Sequence, residues 1–152
     1  MYRGIIAAAV LLAAAPATAQ TAREITGDAW DCRLVSLVGD PNGDMSIQFN
    51  RDGSLGADFY FEIPSGDDLV RISASVSGTW TLTDGDINMA VTQTDVNGGW
   101  LNDEELDPEV LDELAESFEG DMASFSGTST IAYVAKHAMV LDELETSISC
   151  WR

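Results

Sequence analysis

The sequence predicts an all-β domain: an antiparallel meander of seven or eight strands forming a barrel or strongly curved sheet, with one helix inserted near residues 108–119. Three observations carry this expectation. Apolar residues alternate with polar ones at period two along most of the chain, the mark of half-buried antiparallel strands. Asn-Gly and Asp-Gly pairs separate those runs and supply the backbone for tight hairpins. The two cysteines, Cys32 and Cys150, lie toward opposite ends of the chain, as a staple joining the first strand to the last would require.

The first 19 residues read as a secretory signal peptide. Arg3 precedes an apolar run from Ile5 to Ala15, and Pro16, Ala17 and Ala19 form the exit, with cleavage expected after Ala19. That run is shorter than the roughly 20 residues a spanning helix needs, and no membrane or lipid anchor is expected. Residues 20–152 then form a single domain, which suits the usual domain size of about 100 to 150 residues.

The first strand is expected at 29–38, around "AWDCRL". "MSIQF" follows with Met45, Ile47 and Phe49 on one face, and "LGADFYFEI" with Leu55, Ala57, Phe59, Phe61 and Ile63. In "VRISASVSGTWTLT", Val70, Ile72, Ala74, Val76, Trp80 and Leu82 share one face while serines, threonines and Arg71 share the other. Gly78 interrupts the apolar set, where a bulge or bend is expected. "INMAV" adds Ile87, Met89 and Val91 on a strand near 86–94. Turns are expected at "PNGD" (41–44), "RDG" (51–53), "SGDD" (65–68) and "DGD" (84–86).

The pattern changes at "NGGWLNDEELDPEVLDELAESFEG", read as a glycine-rich loop holding Trp100, followed by a helix. Asp107 suits the N-cap, Pro108 the first helical position and Gly120 the stop. Val110, Leu111, Leu114, Ala115 and Phe118 make an apolar stripe for packing on the sheet. Alternation then resumes, placing Phe125, Ile131, Tyr133, Ala135, His137, Met139 and Leu141 inward, and Ile148 and Cys150 inward on the last strand. A meander whose ends are joined closes most simply into a barrel, because closure removes the exposed edges; a two-sheet sandwich is the alternative.

Charge and cysteine chemistry narrow the function. The full chain carries 7 basic and 26 acidic residues, net −19, and loss of Arg3 with the leader makes it −20. Nucleic acid and anionic surfaces are poor partners for that charge; cationic partners are favoured. A pair of cysteines in an exported chain is expected to be oxidised. No cysteine or histidine cluster stands near either to hold a metal.

The "WDC" first strand, the "FNRDG" hairpin, the "SGTWTLTDGDI" segment and the closing cysteine resemble the small, exported lipocalin-like proteins of bacteria, of the calycin type. The resemblance implies a β-barrel binding module, periplasmic or secreted. "VSGTW" is also similar to the Ser-Gly-x-x-Tyr loop of exported lysozyme inhibitors, with Trp80 near the tyrosine position.

Residues able to carry chemistry are few. His137 is the sole histidine, and no Gly-x-Ser-x-Gly nucleophile turn occurs, so no enzyme activity and no cofactor are expected. "DPNGD" and "DVNGGWLNDEE" space oxygen ligands but lack the glycine and glutamate of a calcium loop and read as turns. Candidate contacts to a ligand or partner are Trp80, Trp100, Tyr133 and His137. The bulky inward set (Met45, Phe49, Phe59, Phe61, Met89, Tyr133, Met139) favours a filled interior, since an eight-stranded barrel is only just wide enough for its own side chains. The expected function is an exported binding or interaction module for a small apolar ligand or a protein partner. The alternative is inhibition of a cationic wall-degrading enzyme such as lysozyme.

Overall fold

The computed structural model describes residues 17–36, 42–123, 126–143 and 146–152. Helix α1 (Ala17–Ile25) leads into strands β1 (Trp30–Ser36), β2 (Asn42–Phe49), β3 (Ser54–Ser65), β4 (Asp68–Thr83), β5 (Asp86–Leu101) and the two-residue β6 (Glu104–Glu105). Helix α2 (Pro108–Ala123) precedes β7 (Gly127–Ala135), β8 (Ala138–Glu143) and β9 (Thr146–Trp151). All pairings are antiparallel. Eight strands close in the order β1-β2-β3-β4-β5-β7-β8-β9, with β6 an extra strand on the edge of β5.

The seam of closure is β1 against β9. Cys32 and Cys150 face each other in register there, with Cα atoms 4.0 Å apart and their sulfurs bonded. Both are buried. The sequence separation of 118 makes this bond the clasp of the whole barrel.

Period-two alternation reads through directly in β2, β3 and β4. Met45, Ile47, Phe49, Leu55, Ala57, Phe59, Ile72, Ala74, Val76 and Trp80 are all buried, and Ile87, Met89, Met139, Leu141 and Ile148 complete the interior. Each buried Val, Leu, Ile, Phe or Met side chain among them contributes on the order of 1.5–3 kcal/mol by leaving water. Ile63 departs from the expected face: it is exposed near the end of β3, where the strand runs beyond the shorter β2. Gly78 sits at a bulge as expected, and a Cβ there would lie 2.1 Å from the Ala90 carbonyl oxygen, so only glycine lets β4 and β5 approach. The Asp84-Gly85 turn has both residues at positive φ, the geometry a two-residue hairpin needs.

β4 and β5 are each 16 residues long, whereas β7 pairs with β5 only from Asp86 to Met89. Above Met89 the wall between β5 and β7 is open, and α2 packs on β5 there. Leu106 and Leu111 pack onto Gly99, whose missing side chain makes the room, and Phe118 meets Phe61 edge-on at 5.6 Å between centroids. The other end is shut by α1 and residues 26–28. Trp30 is fully buried and donates its indole N–H to the Ile25 carbonyl at 2.8 Å. Arg152 lies 4.0 Å over the Trp30 ring and donates to the carbonyls of Glu24, Asp28 and Lys136 at 2.6, 3.2 and 3.1 Å. The C-terminal segment is therefore held from both sides.

Several expectations need correction. Beyond the eight barrel strands that were expected, the described residues add the two-residue β6 and helix α1, neither of which was expected. "NGGW" is no loop, because β4 is long enough to pair with β5 as far as Leu101. Two bulges, leaving Asn97 and Thr92 without register partners, absorb the mismatch. α2 runs to Ala123, past Gly120, since an isolated glycine costs a helix only about 1 kcal/mol. Val110 is exposed rather than part of the packed stripe. Asn42 and Gly43 belong to β2 rather than a turn, and the rest of the β1–β2 connection, like Phe125, lies outside the described residues.

Candidate functional site

The four aromatic and imidazole candidates do not gather in one place. Trp80 is 8% exposed, edge-on to Phe49 at 5.2 Å, with its N–H donated to the Asn50 carbonyl at 2.9 Å. It is a core residue at the α1 end. This also removes the inhibitor-loop reading of "VSGTW", because that segment is the interior of β4 rather than a loop. His137 is not inward: it stands exposed in the β7–β8 turn, its Nδ1 donating to the main-chain oxygen of Arg152 at 2.9 Å. Tyr133 is 56% exposed. The cause is a bulge at Ala132, which skips one register partner between Ile131 and Tyr133 and turns the following residues to the opposite face. Ala135, expected inward, shifts with it, while Ile131 before the bulge and Met139 on β8 keep their places.

Trp100 lies on the outer side of β5, opposite Arg71 on β4 and Glu105 on β6. Arg71 is tied to Glu62 at 3.2 Å and to Asp103, which chiefly raises its already high pKa.

The outer wall of β9, β1, β2 and β3 brings together residues that the sequence reading did not connect. One cross-strand row runs Trp151, Asp31, Ser46, Asp58, and the next runs Ser149, Arg33, Asp44, Tyr60. Trp151 (48%) and Tyr60 (38%) are large hydrophobic side chains left in solvent on this face. Between them lies a shallow groove of about 480 Å³ whose lining includes Asp31, Asp44 and Asp58. An adjoining cleft of about 330 Å³ is lined by Arg33, Gly43, Asp44, Tyr60 and Glu62. Arg33 pairs with Asp44 at 3.3 Å, both exposed, a contact worth little to stability but one that fixes the guanidinium beside Tyr60's strand. A legible signal existed for both aromatics: Trp151 follows the inward Cys150, and Tyr60 sits between the inward Phe59 and Phe61, so both must point outward.

The interior offers less. Its positions are occupied by Trp30, Phe49, Ile87, Met139, Leu141 and their neighbours. Among the described residues no buried side-chain nitrogen or oxygen lacks a hydrogen-bond partner, and no group of three or more His, Cys, Asp or Glu is placed to hold a metal ion. Also among the described residues, no helix is long and apolar enough to cross a membrane. No protein-family model matches the chain, and no curated protein matches it in sequence.

Proposed function

We propose that this chain is an extracytoplasmic, non-enzymatic binding module that engages a cationic protein partner on the outer wall of its barrel. The observation that carries the reading is the contrast between a filled interior and a groove rimmed by carboxylates, with Trp151 and Tyr60 exposed at its sides. Tryptophan, tyrosine and arginine are the side chains that most often dominate the energy of a protein interface, and all three stand together here. Asp31, Asp44 and Asp58, in a chain of net charge −19, would steer and orient a basic surface. A small apolar ligand held inside the barrel is less well supported, since core side chains occupy that volume. The bonded cysteines and the leader support export.

Isothermal titration against lysozyme, as a representative cationic wall-degrading enzyme, tests this. Micromolar binding at low salt is expected, weakening as salt rises and falling at least tenfold in Trp151→Ala and Tyr60→Ala. Absence of binding, or binding indifferent to both substitutions, overturns it.

A further inference from the structure

A second cleft, away from the outer-wall groove, has two arginines among its lining residues. Of the basic residues, Arg33 and Arg71 are paired with carboxylates, and Arg152 is consumed by main-chain carbonyls and the Trp30 ring. Arg23 and Arg51 form no ion pair among the described residues, although acidic groups outnumber basic ones 26 to 7. Both are exposed, and both line a single cleft of about 550 Å³ with Ala22, Thr26 and Trp80.

The remaining polar side-chain atoms of that cleft are already engaged. Trp80 gives its N–H to Asn50, and the Thr26 hydroxyl donates to the Ala22 carbonyl at 2.9 Å. Asp52, beside Arg51 in the chain, turns its carboxylate to the Ser54 amide and hydroxyl at 2.9 and 2.7 Å, which holds it below the usual carboxylate range. What a ligand meets is therefore the small exposed edge of the Trp80 indole, the Ala22 methyl and two guanidinium groups that form no ion pair among the described residues. Guanidinium is the side chain best shaped for carboxylate and phosphate oxygens. Such a cleft also falls within the usual volume of small-molecule sites, about 300–1,000 Å³.

We propose that the cleft between α1 and the β2–β3 turn binds an amphipathic anion, its apolar body on Trp80 and its charged head held by Arg23 and Arg51. The site is separate from the outer-wall groove, sharing none of its lining residues.

The test is calorimetric titration of the intact disulfide-bonded protein with decanoate, decanol and inorganic phosphate in low-salt buffer. Decanoate should bind at micromolar to sub-millimolar concentration, and decanol and phosphate at least tenfold more weakly. Arg23→Gln and Arg51→Gln should each weaken decanoate at least fivefold and together remove it. Because both side chains are exposed, the variants should keep the parent melting temperature, which circular dichroism checks. Decanol binding as well as decanoate removes the anion from the proposal, and phosphate binding as well as decanoate removes the apolar body. No decanoate binding, or binding unchanged in the double variant, overturns the site.

Discussion

Reducing the Cys32–Cys150 bond should cost this barrel much of its stability without rearranging it. The two sulfurs are buried and opposed in register on β1 and β9, so the native strands stay paired after reduction through the hydrogen bonds of the seam. The loss falls on the unfolded side. A cross-link spanning 118 residues removes about 5 kcal/mol of loop-closure entropy from the denatured chain in the chain-entropy model. Domains of this size are usually stable by about 5–15 kcal/mol, so the bond is expected to supply a third or more of the total. With a urea slope of about 2 kcal/mol/M, the midpoint should fall by roughly 2.5 M. Parallel urea titrations, oxidised and in excess dithiothreitol, followed by far-ultraviolet circular dichroism, measure this directly. A Cys32→Ala/Cys150→Ala variant should track the reduced protein. A shift under about 0.5 M would mean that the denatured chain already holds its ends together, and the clasp would lose its thermodynamic role.

Gly78→Ala should destabilise by about 1–3 kcal/mol, because the new methyl overlaps the Ala90 carbonyl across the β4–β5 ladder and main chain must move; a thermal melt within 1 °C of the parent would contradict that geometry. Arg152→Ala should cost about 2–3 kcal/mol through the lost ring contact and charge-assisted hydrogen bonds, and should speed amide exchange in α1 before the strands. Exchange in α1 unchanged from the parent would show that the helix is held by other contacts.

The parts of the fold governed by one-dimensional rules were legible. In β2 and β4, side-chain parity alone sorted Met45, Ile47, Ile72 and Val76 inward, because a strand with one wet face tolerates no slip in register. Asp84-Gly85 marked its own hairpin, and Pro108 marked the start of α2. The misses share a cause: they depend on a partner strand or helix distant in sequence. Ala132 carries nothing that identifies it as a bulge, yet it reverses Tyr133. Gly98 and Gly99 read as a loop because glycine favours loops, whereas pairing with β4 and packing of Leu106 and of Leu111 from α2 keep that stretch extended. The outer groove depends on four strands meeting, one of them from the far end of the chain.

A filled interior, covered by α1 at one end and by α2 beside the short β5–β7 pairing, moves the chemistry of this barrel outward. A molecule entering from the α1 end would have to displace Trp30, which is hydrogen-bonded to Ile25 and covered by Arg152. Entry from the α2 end would have to part Phe118 from Phe61. Disrupting a core aromatic costs on the order of 3–5 kcal/mol, which would subtract roughly two to four orders of magnitude from the affinity of any ligand inside. A partner on Trp151 and Tyr60, or an anion at Arg23 and Arg51, meets side chains that already face solvent. The same packing that holds the barrel closed thus leaves its surface as the place where binding is least opposed.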